Sequence, residues 1–312
     1  MNNRHAYCII CHSQPRLLQL LVRLIDDERN DIFLMIDKKA DKSLFKDISA
    51  SKSGLYVLPS MKIWWGEDSQ IEAEMRLFET ASRTASYSYC HLLSGADLPL
   101  KLQDEIHAFF QNHQGKEFVE FWKQPDTYDI IRKRMRKHFF HNYNQVAHRT
   151  LGQNLERMLQ RNLLSINKRV NPQPRIHSLP ELKMGPNWVS VTGDFVKFLM
   201  TKRDFIRKAF RHTYCADELF LQSIIWDSPF RENIYQYEKC TGHTGEKDVF
   251  GCNMRLIDWT RGAPYTFTHE DIDELSHSDK LFARKIDGSD KELIQYFCRF
   301  LPTTSEQNHM PS

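Results

Sequence analysis

The first hundred or so residues alternate between short apolar runs and amphipathic stretches, and few folds accommodate that rhythm. Ala6 to Cys11, Asp31 to Ile36, Leu55 to Leu58 and Tyr87 to Leu93 each read as buried strands. Arg16 to Leu24, Ile71 to Ala85 and Leu102 to Phe110 instead repeat their apolar residues at helical spacing. A parallel neighbour is reached only through a crossover, so strand–helix–strand in this order implies parallel pairing. The expected fold class is α/β, with a mostly parallel central sheet and helices on both faces. Ligands of such sheets gather beyond the carboxyl ends of the strands. His12, Asp37 and Asp97 all fall at such ends.

Composition narrows the class. A chain of 312 residues, 41% hydrophobic and 27% charged, is long enough to bury a sizeable core. Its net charge of +3, from 43 basic and 40 acidic residues, provides no global field to recruit nucleic acid. The seven cysteines are odd in number and scattered through apolar runs. That predicts reduced thiols and a cytoplasmic setting rather than a disulfide framework. Cys8 and Cys11 form a C-x-x-C inside a strand-like run with no second pair, which argues against zinc. The apolar run after Met1-Asn2-Asn3-Arg4-His5 is too short for a signal peptide or a spanning helix, so a soluble, unexported chain is expected.

Candidate chemistry clusters at a few points. In Tyr214 to Trp226, read as one helix, Asp217 and Glu218 enter the first turn of an otherwise apolar segment. Such a carboxylate is either a general base with a pKa lifted by partial burial or an ordinary acid matched to the helix dipole. Asp37 suits a ribose or base hydrogen bond, or equally the cap of the next turn. Gly95 permits close backbone approach in a turn whose Asp97 faces the crevice. Trp64 and Trp65, beside Gly66, have the composition of a sugar-stacking platform.

Residues from about 126 to 180 read as a basic, mostly helical insertion, with Arg132 to His138 followed by Phe139, Phe140 and Tyr143, and with Asn171 to Pro174 as a break. It is either a solvated insertion or a contact for RNA or an anionic membrane surface. Trp188 to Val191 is strand-like, Gly193 to Met200 helical, and Asn253 to Trp259 strand-like around Arg255. Arg284 and Lys285 are adjacent cations, either surface charges or holders of a diphosphate. Asp271-Ile272-Asp273 resembles a metal-binding D-x-D, yet Thr268-His269-Glu270-Asp271 reads as a capping box. One domain over 1–302, followed by a disordered tail at 303–312, is expected.

Several motifs in order then carry a resemblance: "IICHSQPRLLQLLVRLIDDERNDIFLMIDKK", "WWGEDS", "YCHLLSGADLPL", "GPNWVSVTGDFVKFL", "CADELFLQSII", "MRLIDW" and "FARKID". Together, over about residues 6–301, the chain resembles the core-2/I-branching glycosyltransferase family, which also contains peptide O-xylosyltransferases, and within it the bacterial branch. The resemblance implies a GT-A-like (Rossmann-like) fold and an inverting transfer from a UDP-sugar, with GlcNAc the best match and xylose or another hexose the alternative. It implies Glu218 as catalytic base, Arg284 and Lys285 as the cations that take the diphosphate without a divalent metal, and Asp37 as a nucleotide contact. His12 and Asp97 join the nucleotide-sugar end; Trp65, Trp188, Asp217 and Arg255 join the acceptor or sugar pocket. The chain departs from the family at Gly185-Pro186-Asn187 and at Glu67, which replaces a second glycine. Implied partners are the UDP-sugar and a glycan or lipid-linked glycan acceptor in surface-polysaccharide synthesis, with peripheral contact to the inner membrane face through residues 132–138 and no nucleic acid. A non-catalytic sugar-binding or anionic-surface-binding protein is the competing class.

Overall fold

The computed structural model describes residues 3–122, 127–136, 150–170, 181–241, 251–262 and 264–301. In chain order the first unit is β1 (His5–Cys11), α1 (Pro15–Leu24), β2 (Asn30–Ile36), β3 (Gly54–Val57), α2 (Asp68–Thr84), β4 (Tyr89–Ser94), β5 (Asp97–Pro99) and α3 (Gln103–Asn112). Next come α4 (Thr127–Arg134), α5 (Leu151–Val170), β6 (Ser190–Thr192), α6 (Gly193–Thr201), α7 (Arg203–Phe210), α8 (Phe220–Trp226) and α9 (Tyr237–Thr241). The described chain closes with β7 (Arg255–Ile257), α10 (Ile272–His277), β8 (Phe282–Arg284) and α11 (Lys291–Cys298).

The main sheet has the order β3-β2-β1-β4-β6, parallel except for β6, which runs against β4. Alternation along its strands divides the core in two. Ala6, Cys8, Phe33, Met35, Cys90 and Leu92 face a layer built on α2, α6, α7 and α8. Tyr7, Ile9, Ile32, Leu34, Tyr89 and Leu93 face α1, α3 and α11. Both faces are covered, which is why β1 and β2 read as continuous apolar runs. Local chemistry starts the helices: Pro15 opens α1, where its missing N–H costs nothing, and the Thr192 hydroxyl caps α6 by accepting from Phe195 N.

A second sheet, β5-β8-β7, corrects one expectation. Ser94 to Pro99 was expected only to break the fourth strand. Instead the chain turns at Gly95 and Asp97–Pro99 pairs antiparallel with β8. An added Cβ at Gly95 would meet the Cys11 sulfur, so the turn needs glycine to lie this close to the end of β1. Asp217 and Glu218 are corrected too: they form a separate 3-10 turn, Ala216–Glu218, and Leu219 (φ −123°) interrupts the chain before α8. Cys252 is disulfide-bonded, against the expectation of reduced thiols, while Cys8, Cys11, Cys90, Cys215 and Cys298 are free. Scatter along a sequence does not say which sulfurs the fold brings within bonding distance. No described helix is long and apolar enough to cross a membrane. Lys137 to Asn142, Tyr143, Asn171 to Pro174 and the 303–312 tail lie outside the described residues.

Three buried histidines sit beneath the sheet. His5 stacks on His107 with ring centroids 4.0 Å apart, His5 Nδ1 lies 3.1 Å from His91 Nε2, and His91 Nδ1 lies 2.7 Å from Ser190 Oγ. Burial holds all three below the ordinary imidazole pKa, His107 at about 4. They are neutral in the folded state, whereas in the unfolded chain they protonate near 6.5. Their contribution is therefore intact above pH 6.5 and is lost as pH falls toward 4. Glu117, pushed up to about 7 by burial, acts in the opposite sense. His107→Gln, which keeps a donor toward Asn30, is therefore expected to shrink the drop in urea midpoint between pH 7.5 and pH 5 relative to wild type. Equal drops in the two proteins would show that His107 does not titrate with folding.

Candidate active site

The sheet topology builds one end of the site. Pairing β5 with β8 sets Asp97 opposite Arg284, and Asp97 Oδ1 accepts from Arg284 Nη1 at 2.6 Å. Asp97 is wholly buried and also accepts from Ser94 N (2.7 Å) and Ser94 Oγ (2.9 Å), so its carboxylate holds Arg284 rather than facing open space. The Arg284 guanidinium lies 3.9 Å from the ring centroid of Trp188. Beside it, Lys285 is clamped by its backbone: its carbonyl accepts from Phe267 N at 2.8 Å. Burial, then the Arg284 charge, pulls the Lys285 ammonium below its ordinary pKa. A cation destabilised in this way gains from an incoming anion.

His12 and Asp37 meet this cation pair at the ends of β1 and β2. Burial lowers the His12 pKa; Asp37 opposes that, and Lys285, Lys39 and Arg284 reinforce it. Asp37 Oδ1 accepts from Lys39 N at 2.9 Å, the turn-capping role, while Oδ2 lies 3.2 Å from Lys39 Nζ. Lys39 Nζ also sits 4.3 Å over the Trp64 ring. Three cations and a histidine thus converge at the carboxyl edge of the parallel strands, where an anionic ligand is expected.

The second end is built on the Ala216–Glu218 turn. Cys215 enters it with φ 46°, and its N–H donates to Gly66 O at 2.8 Å. This fastens the Trp64-Trp65-Gly66 loop to the turn, with the half-exposed Trp65 edge-on to Tyr214 (centroids 5.9 Å). The Glu218 carboxylate receives Arg134 Nη1 at 2.5 Å. Burial raises the Glu218 pKa and the Arg134 charge lowers it, leaving it above the ordinary value. Asp217 is buried deeper, with Oδ1 unpartnered, and burial followed by the Glu218 charge pushes it up to about 7. Glu74 of α2 is fully buried nearby; burial and then the Asp217 charge raise it well above its ordinary value, and its Oε1 accepts from Asn187 Nδ2 at 2.8 Å.

One short segment ties the two ends together. Gly185 N donates to Glu218 O at 3.0 Å, and three residues later the Trp188 ring carries Arg284. Three residues of extended chain span at most roughly 10 Å. A Cβ on Gly185 would strike the Glu120 carbonyl, so this backbone is pressed against its neighbour. Arg255 lies under the segment with its guanidinium buried. It donates to Val189 O (2.6 Å), Ser190 Oγ (2.8 Å) and, more weakly, Leu92 O (3.4 Å). Arg255 therefore braces the strand behind Trp188 rather than lining an open pocket. Asp271 is taken up by Thr268 N (2.8 Å) and Arg261 (2.5 Å), while Asp273 is exposed.

The sequence-derived candidates divide accordingly. His12, Asp37, Arg284 and Lys285 meet at one end with Asp97 behind them; Glu218, Asp217 and Trp65 meet at the other, with Trp188 between. Sequence reasoning missed Arg134, Glu74, Lys39 and Tyr214 as parts of the site. Arg134 was visible only as one cation in a basic run. Glu74 did leave a signal: it shares the buried face of α2 with Ile71, Met75 and Phe78, where a carboxylate needs a reason.

A mostly parallel α/β sheet with charged side chains collected at its carboxyl edge is the architecture of a GT-A-like glycosyltransferase. The chain belongs to the Core-2/I-Branching enzyme family, whose model matches residues 5–280, and it is accordingly a glycosyltransferase. Among solved structures, mouse xyloside xylosyltransferase 1 in its apo form is similar over 89% of this chain and 96% of its own, at 10% identity and TM-score 0.35. S. aureus TarS 1–349 is similar over 39% of this chain and 36% of its own, at 12% identity and TM-score 0.25. The chain thus spans about a third of TarS 1–349. No curated protein matches the chain at a significant level.

Proposed function

We propose that the protein is an inverting glycosyltransferase that moves a sugar, best GlcNAc, from a UDP-sugar to a hydroxyl of a glycan acceptor. Glu218 removes the proton from the acceptor hydroxyl as that oxygen attacks the anomeric carbon from the face opposite UDP. A single displacement inverts the configuration and needs one base and no covalent intermediate. The departing diphosphate gathers negative charge, and Arg284 and Lys285 stabilise it. Arg284 is pre-oriented by Asp97 and Trp188 and therefore reorganises little as charge develops. A lipid-linked glycan of surface-polysaccharide synthesis, presented at a cytoplasmic membrane face, is the acceptor class this reading favours.

The observation that carries the reading is the fastening of both chemical ends to one segment: Gly185 to the Glu218 turn, Trp188 to Arg284. The test is a melting-temperature panel of UDP-GlcNAc, UDP-xylose, UDP-glucose and UDP-galactose, each with and without EDTA, followed by transfer assays with the stabilising donor. A ligand at about 100 times its Kd stabilises the fold by about 2.7 kcal/mol, readily seen as a shift. Stabilisation by one UDP-sugar and turnover that survives excess EDTA are expected. Complete loss of turnover in EDTA, restored by Mn²⁺, would overturn the metal-free mechanism.

A further inference from the structure

Helix α5 is amphipathic the wrong way round for a helix lying on a water-exposed surface. Thr150 caps it, its Oγ accepting from Gln153 N while its own N donates to Gln153 Oε1. Along the helix, Leu151, Leu155, Met158, Leu159, Leu163 and Ile166 recur at steps of three and four and are 36% to 89% exposed. The less exposed positions are polar in the main: Gln153, Glu156 and Arg157 are half-buried and Gln160 is buried, with Leu164 the apolar member of that face. At 100° per residue the two sets lie on opposite sides of the helix. A surface helix of a soluble domain turns its apolar stripe inward. This one turns it outward, as a contiguous strip too long to be scattered surface leucines.

Charge identifies what the strip meets. Residues 127–136 and 150–170 together hold eight Lys and Arg against two Asp and Glu, a local +6 in a chain whose total is +3, so the remainder of the protein is net acidic. Two copies of α5 laid face to face would bring like charges together. An anionic bilayer satisfies both features, taking the apolar strip among its acyl chains and the cations among its headgroups. We infer that α5 lies in the plane of an anionic membrane surface, with Leu155, Met158, Leu159 and Ile166 embedded at the headgroup–acyl boundary. The stretch 127–136 also holds Arg134, which reaches Glu218, so membrane-facing cations and the catalytic turn are joined through one helix. This surface goes beyond the transfer reaction proposed above: its readout is partition, not turnover.

The test is sedimentation of the full chain with phosphatidylcholine vesicles and with vesicles containing phosphatidylglycerol. Wild type is compared with the triple variant Leu155→Ser, Leu159→Ser, Ile166→Ser and with the charge variant Lys133→Gln, Arg136→Gln. All five side chains lie outside the proposed chemistry, and circular dichroism with UDP-induced melting shifts checks that the variants fold. Expected are preferential partition of wild type into the anionic vesicles, a fall of at least about tenfold in the triple variant, and a smaller, salt-dependent fall in the charge variant. Partition unchanged in the folded triple variant would overturn the proposal, as would no binding of wild type to either vesicle. So would a concentration-dependent dimer, lost in the triple variant, in place of vesicle binding, since that outcome assigns the strip to a second copy.

Discussion

Glu218→Gln is expected to lower turnover by about 10²–10⁴-fold while leaving UDP-sugar affinity within a few-fold of wild type. The substitution preserves size and an oxygen acceptor toward Arg134, so the Gly185 bond to the Glu218 carbonyl and the shape of the turn are retained. What disappears is the ability to take a proton. Steady-state kinetics with donor calorimetry separates the two effects: a fall in affinity that matched the fall in turnover would make Glu218 a binding residue. The pH profile carries the same information. Glu218 acts only when ionised, and burial raises its pKa, so activity is lost as pH falls through a value above that of an ordinary glutamate. Because Asp217, near 7, is coupled to it, the acid limb belongs to the pair. Asp217→Asn removes the neighbouring negative charge, favours ionised Glu218, and is expected to move the limb to lower pH.

Lys285→Met is the second large effect expected, a loss of about 10²–10³ in turnover with the fold intact. Lys285 shows this more cleanly than its neighbour. Arg284 is bound to the wholly buried Asp97, and removing one partner of a buried pair costs about 3–5 kcal/mol through the charge left behind. Arg284→Met therefore confounds chemistry with stability, and Arg284→Met with Asp97→Asn is expected to recover much of the melting temperature without recovering activity. Lys285 is only half-buried, and burial already holds its ammonium below the ordinary pKa, so methionine keeps the stem and deletes an electrostatically costly charge. A Lys285→Met enzyme within threefold of wild-type turnover would remove Lys285 from diphosphate stabilisation.

How much of this was legible in the chain depends on the kind of information. The four parallel strands and their helices were readable because burial on both faces leaves long apolar runs and helices leave a 3.6-residue period. The small sheet was not. Asp97–Pro99, Arg255–Ile257 and Phe282–Arg284 are three residues each, too short for a period, and one ends in proline. The break at Leu219 was hidden because an apolar residue continues a helical pattern whether or not its backbone does.

The sequence by itself determined the α/β class, the two covered faces of the sheet and the edge at which ligands collect, since these follow from local periodicity and chain order. Only the tertiary structure decided which charges meet. Arg134 reaches Glu218 across 84 positions and Arg284 reaches Asp97 across 187. The physical reason is that Coulomb interaction and desolvation depend on separation and burial in space, and no periodicity along a chain records either. The same holds for α5, whose apolar stripe was present in the sequence while the side it faces was settled by the fold.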